Sequence, residues 1–165
     1  MPDVERVSLL PNIPAVYAMY GGRGSNLYVA YIGVAERLRS RVEQHLVRRE
    51  SSVTVGSSAV NLNSDFVTEL RWWVDPAFVD RAELEAAELV AFDRFEPILR
   101  SRGRIRTDSR VLADTPDFQA RMQQLFGGTP AGRLVIPTLQ EALDRLAKLE
   151  RRIQLLERHV DGGDS

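Results

Sequence analysis

Apolar positions along the chain follow two different periods. Residues 15–20, AVYAMY, and 27–34, LYVAYIGV, are short runs of β-branched and aromatic residues separated by GGRGSN. Two strands joined by a glycine-rich turn, a β-hairpin, is the expected result. From Ala35 to Arg49 the spacing changes to that of a helix, with Leu38, Val42, His45 and Leu46 on one side and Arg37, Arg39, Arg41, Glu43 and Arg48 on the other. Residues 50–64 are rich in Ser and Asn and read as a long loop between that helix and the next strand. Phe66 to Val74 predicts a third strand ending at Asp75-Pro76. Alternation puts Trp72 and Trp73 on opposite sides of it, so one is expected in the core. Asp80 to Phe95 predicts a helix with Leu84, Ala87, Leu89, Ala91 and Phe92 on a broad apolar side, stopped by Pro97. Thr115-Pro116 opens a short helix to about Phe126, and GGTPAG at 127–132 breaks the chain again.

The last helix carries the most regular pattern. Thr138 and Glu141 form a capping box. Leu139, Ala142, Leu146, Leu149, Ile153, Leu156 and Val160 then recur at alternating steps of three and four, the a/d seam of a coiled coil. With Leu139 at a, Arg145 and Arg152 fall at g, and Glu150 and Glu157 at e. A parallel partner copy would set Arg145 against Glu150 and Arg152 against Glu157. Packing on its own domain is the other arrangement, and Leu143 and Leu155, off the seam, speak for it.

Composition narrows the chemistry. The chain has 165 residues and no cysteine, which excludes a disulfide framework, a thiol nucleophile and a cysteine-based metal site. Two histidines are too few for a histidine-rich metal cage. The net charge is −1, so any case for a polyanionic partner rests on local patches. One such patch is the segment 100–110, where Arg100, Arg102, Arg104, Arg106 and Arg110 face a single Asp108. Lys148 is the only lysine, which reads as codon bias. No apolar run approaches the ~20 residues that cross a bilayer, and the N-terminus, with Asp3, Glu5, Pro11 and Pro14, does not read as a signal peptide. A soluble, cytoplasmic protein without a membrane partner is expected.

One constellation extends over the hairpin and the two helices that follow. Pro14-Ala15-Val16-Tyr17 lies on the first strand and Tyr31-Ile32-Gly33 on the second. Leu38, Arg41 and His45 follow Gly33 at +5, +8 and +12, and Glu88 precedes Pro97 by nine residues. Over residues 12–100 this resembles the GIY-YIG endonuclease superfamily. The resemblance implies an α+β fold, with a small three-stranded antiparallel sheet flanked by helices, and hydrolysis of a nucleic-acid phosphodiester with one divalent ion, Mg²⁺ or Mn²⁺. It assigns Tyr17 to the first-motif tyrosine, Tyr31 to the second-motif tyrosine near the scissile phosphate, Arg41 to the essential arginine, His45 to the histidine one turn later and Glu88 to the metal-binding glutamate. AVY replaces GIY, Val34 stands where many members have lysine, and Arg100 stands where asparagine often follows the proline. Glu85, one turn before Glu88, is a rival ligand.

Elementary chemistry is compatible with those roles. In-line attack on a phosphodiester builds charge on the non-bridging and leaving oxygens, which one cation and one guanidinium stabilise. A helix carboxylate holds Mg²⁺ through one contact, with water completing the octahedron. With an ordinary pKa of about 10, only about one tyrosine in a thousand is ionised at neutral pH. Tyr17 is therefore either a base whose phenolate is stabilised or a group that orients the attacking water. Arg37 and Arg41, four apart, form a basic stripe for phosphates, to which Arg100, Arg102, Arg104 and Arg106 add a second strip. His159, at a g position, carries no role.

The expected organisation is thus a nuclease-like domain over 10–112, a connector helix and linker over 113–136, a coiled-coil helix over 137–161 and a disordered tail over 162–165. The expected activity is metal-dependent endonucleolytic cleavage of DNA by a homodimer. The alternative is a catalytically idle nucleic-acid-binding or adaptor module that acts through the coiled coil.

Overall fold

A computed structural model describes residues 1–48, 63–99 and 105–161. Five strands, Asp3–Val4 (β1), Ala15–Gly21 (β2), Tyr28–Ala35 (β3), Val67–Trp73 (β4) and Gly132–Val135 (β5), form one sheet in the order β1-β5-β4-β2-β3. The helices are Leu38–Leu46 (α1), Arg81–Phe95 (α2), Thr107–Ala113 (α3), Pro116–Gly127 (α4) and Leu139–Asp161 (α5). The class is α+β, but the expected small three-stranded antiparallel sheet is corrected to five strands of mixed direction. β2 pairs antiparallel with both β3 and β4, β4 pairs antiparallel with β5, and β1 joins β5 in parallel.

The two added strands have two and four residues, too short to display alternation. β5 also begins on a glycine that reads as a breaker. Gly132 faces Trp72 across the ladder, and a Cβ at 132 would collide with the indole ring. The glycine is thus the seat of a buried aromatic side chain, which is what lets β5 close against β4.

β2 lies inside the sheet, between β4 and β3, and every one of its residues is buried, because both faces of the sheet are covered. On one face Tyr17, Met19, Tyr31, Leu70, Trp72 and Leu134 pack with Leu38 and Val42 of α1 and with Leu10. On the other, Val16, Ala18, Ile32 and Trp73 pack with α2 and with Phe118, Met122 and Phe126 of α4. Trp72 and Trp73 do point to opposite sides, yet both are core, since each side has its own helical layer. Each large side chain buried this way contributes about 1.5–3 kcal/mol.

Local signals set the helix ends. Asp80 caps α2 by accepting from the Ala82 N–H at 2.7 Å. That helix ends on Glu96, which takes a left-handed conformation (φ 45°) immediately before Pro97. The chain then turns along the outer edge of β3, where the Ile98 and Leu99 N–H groups donate to the Val29 and Ala30 carbonyls. The capping box of α5 forms as its sequence requires. Glu141 N–H donates to Thr138 Oγ1 at 3.2 Å, and Thr138 N–H to Glu141 Oε2 at 2.8 Å. No helix among the described residues is long and apolar enough to cross a membrane.

Candidate active site

The site grows from the register of the hairpin. Tyr17 lies directly opposite Gly33, and Met19 opposite Tyr31, so both tyrosines project from the same face of the sheet. A Cβ at position 33 would stand 2.6 Å from Tyr17 Oη and 2.7 Å from Tyr31 Cε1. The glycine of the YIG tripeptide therefore leaves the space in which the phenol rings meet, with centroids 6.1 Å apart.

α1 supplies the next two groups. Leu38, Val42 and His45 recur at helical spacing, and all three are buried against the sheet. This places the imidazole 6.4 Å from the Tyr17 ring and 5.8 Å from the Tyr31 ring. Arg41, one turn earlier, sits at the margin of the same cluster, where its Nη1 donates to Gln44 Oε1 at 3.3 Å. Glu88 comes from the middle of α2, half-buried, and its charge acts on Tyr17 and is acted on by Arg41. Two strands and α1 thus group four of the residues that the family resemblance singles out, and Glu88, on α2, lies within electrostatic reach of Tyr17 and Arg41.

Burial dominates the electrostatics. It lowers the His45 imidazole from 6.5 to about 4, helped by the nearby Arg41 charge, so the ring is neutral at physiological pH. Burial, reinforced by Tyr31, raises the Tyr17 phenol well above 10, while Arg41 pulls the other way. The hydroxyl is therefore a protonated donor at neutral pH. Tyr17 Oη and His45 Nε2 are both buried without a well-formed hydrogen bond to a described residue. Burial also raises the Glu88 carboxyl from 4.5 to about 7, with Glu85 adding to the effect and Arg41 and Arg81 opposing it.

Glu85 and Glu88 are distinguished by their partners. Glu85 is buried and accepts from Arg81 Nε at 2.8 Å, Ser109 Oγ at 3.0 Å and Arg106 Nε at 3.3 Å. Burial works to raise its carboxyl, but the hydrogen bonds outweigh it and hold Glu85 below the ordinary value. It also accepts from the Arg106 N–H at 3.4 Å, bracing the start of α3. Glu88 has no hydrogen bond or ion pair with a described residue. Among the described residues no group of three or more His, Asp or Glu side chains converges on a cation. A single carboxylate without such partners suits Mg²⁺ or Mn²⁺, which keeps most of its coordination for water and substrate oxygens. Burial is the main cause of Glu88's raised affinity for a proton, and of the two glutamates Glu88 is the one whose oxygens no described arginine or serine occupies.

The basic residues divide in a similar way. Arg37 is exposed at the start of α1. Arg106, expected on a phosphate-binding strip, is instead ion-paired with Glu85 and Asp108. Arg100, Arg102 and Arg104, and the loop expected at 50–64 as far as Leu62, lie outside the described residues. Arg81 escaped the sequence reading. It bridges Glu85 and Glu36, tying α2 to the β3–α1 connection, and its i,i+4 spacing to Glu85 was the available signal. The chain matches no family model and no curated protein.

Proposed function

We propose that this protein is a metal-dependent endonuclease of the GIY-YIG type that hydrolyses phosphodiester bonds in DNA. The observation that supports the reading is the cluster of two phenols and an imidazole beside Arg41, with the desolvated Glu88 carboxylate within electrostatic reach of Tyr17 and Arg41. Arg41 is the group to hold the non-bridging oxygens of the scissile phosphate and offset the charge that grows there. The Tyr17 hydroxyl, buried and protonated at neutral pH, favours an orienting role for Tyr17 over that of base, with Tyr31 as the second phenol beside it. Neutral His45 offers Nε2 to fix a neighbouring hydroxyl. Glu88 is the residue to hold Mg²⁺ or Mn²⁺, which when bound supplies Lewis-acid polarisation and an acidified water. Exposed Arg37 extends the phosphate contact along α1.

α5 is the element through which two such chains act as a homodimer. A cytoplasmic setting fits a nucleic-acid substrate and a cysteine-free chain. The exposed seam of α5 equally suits a non-catalytic adaptor, but that reading leaves a desolvated Glu88 without purpose. Incubating the protein with supercoiled plasmid, branched DNA and RNA, each with Mg²⁺ or Mn²⁺ and with EDTA, tests the proposal. Metal-dependent nicking or linearisation of DNA is expected; binding without cleavage under every condition supports the adaptor instead.

A further inference from the structure

The apolar seam of α5 has no counterpart among the described residues of its own chain. Leu139, Leu146, Leu149, Ile153 and Leu156 are 52–73% exposed, and no described residue of this helix is buried. Packing on its own domain, which Leu143 and Leu155 suggested, is not what the structure has: those two are exposed as well. Among the described residues only the start of α5 is held. Arg23, in the turn between β2 and β3, reaches Glu141 with Nε and Nη2 and also donates to the Ile136 carbonyl at 2.8 Å and the Thr68 carbonyl at 3.2 Å. From that anchor the helix extends for 23 residues, about 35 Å.

We propose that this seam docks on the α5 of a second copy of the chain, in parallel and in register, an inference that deepens the homodimer reading above. Charge selects the partner and its direction. In parallel, each g residue meets the e residue of the following heptad, so Arg145 faces Glu150 and Arg152 faces Glu157 on both sides of the seam. In the antiparallel arrangement g meets g and e meets e, so arginine would face arginine and glutamate would face glutamate. An unrelated acidic or basic helix satisfies only half of this pattern, whereas a second copy satisfies all of it. Because Arg23 fixes the start of each α5 beside its own hairpin, parallel pairing puts both catalytic bodies at the same end of the coil. Two sites are then presented to one duplex.

The absence of native cysteine makes the geometry directly testable. Sedimentation equilibrium of the full chain is expected to show a concentration-dependent dimer. Replacing Leu146 and Ile153 together by Asp is expected to weaken association roughly a hundredfold or more; both positions are exposed, so the domain itself is left intact. Ile153→Cys is expected to form a disulfide-linked dimer on mild oxidation, since position 153 faces itself only in the parallel register. A chain that stays monomeric overturns both the seam and the homodimer reading. A dimer in which Ile153→Cys links only to a co-incubated Ala142→Cys chain is antiparallel, and overturns this inference while leaving self-association standing. Neither readout depends on cleavage.

Discussion

Single ionisable side chains set the first test, because Glu88 and His45 act on stability in opposite directions. The folded His45 titrates at about 4, below its ordinary 6.5, so between these values the unfolded chain binds the extra proton and stability falls as pH drops. The folded Glu88 titrates at about 7, above its ordinary 4.5, so stability falls as pH rises through that window. In the wild-type chain the two slopes largely cancel between pH 4.5 and 6.5. Urea denaturation as a function of pH is expected to separate them. His45→Gln should leave a protein that loses stability as pH rises from about 4.5 to 7. Glu88→Gln should lose stability only on acidification, and above pH 7 should exceed the wild type by on the order of 3 kcal/mol. An unchanged pH profile in either variant would remove the charge assignment made for that residue. A gain of stability from a substitution that destroys activity is the behaviour expected of a group held for chemistry, not for folding.

At the scale of elements, the hairpin and α1 form the most demanding part of the site. Gly33→Ala is expected to cost about 1–3 kcal/mol, because the new methyl must displace the Tyr17 hydroxyl or the Tyr31 ring. It should also lower cleavage with little change in DNA affinity. A melting temperature and cleavage rate both equal to wild type would show that the rings do not depend on that gap. These same elements were legible in the sequence, because period-two and helical spacing translate directly into facing side chains. That Tyr17, Tyr31, Arg41 and His45 belong to one site was implied by the family resemblance; periodicity alone gave only the strands and the helix that carry them. What escaped was set by partners distant in sequence. β5 was hidden because Gly132 looks like a breaker until Trp72 is placed on it. α3 was hidden because its first turn is braced by Glu85 of another helix. The ion pair of Arg106, expected on a phosphate-binding strip, was hidden for the same reason: a sequence shows a guanidinium but not the carboxylate beside it.

For the whole molecule, the sheet separates two duties. One face, under α1, carries the phenols and the imidazole; the other, under α2–α4, forms the larger apolar layer and supplies the carboxylate from its helix. Among the described residues α5 stands outside both layers and is anchored at its start, so the proposed pairing and the proposed chemistry are expected to be separable by mutation. The central claim is that the Glu88 carboxylate serves catalysis. Its most direct test is the single-turnover cleavage of an end-labelled duplex in Mn²⁺ by wild-type protein and by Glu88→Gln, with duplex affinity measured in parallel by fluorescence anisotropy. The account predicts a rate at least ~1,000-fold lower for the variant, with affinity within a few-fold of wild type. Cleavage at the wild-type rate by Glu88→Gln would contradict it.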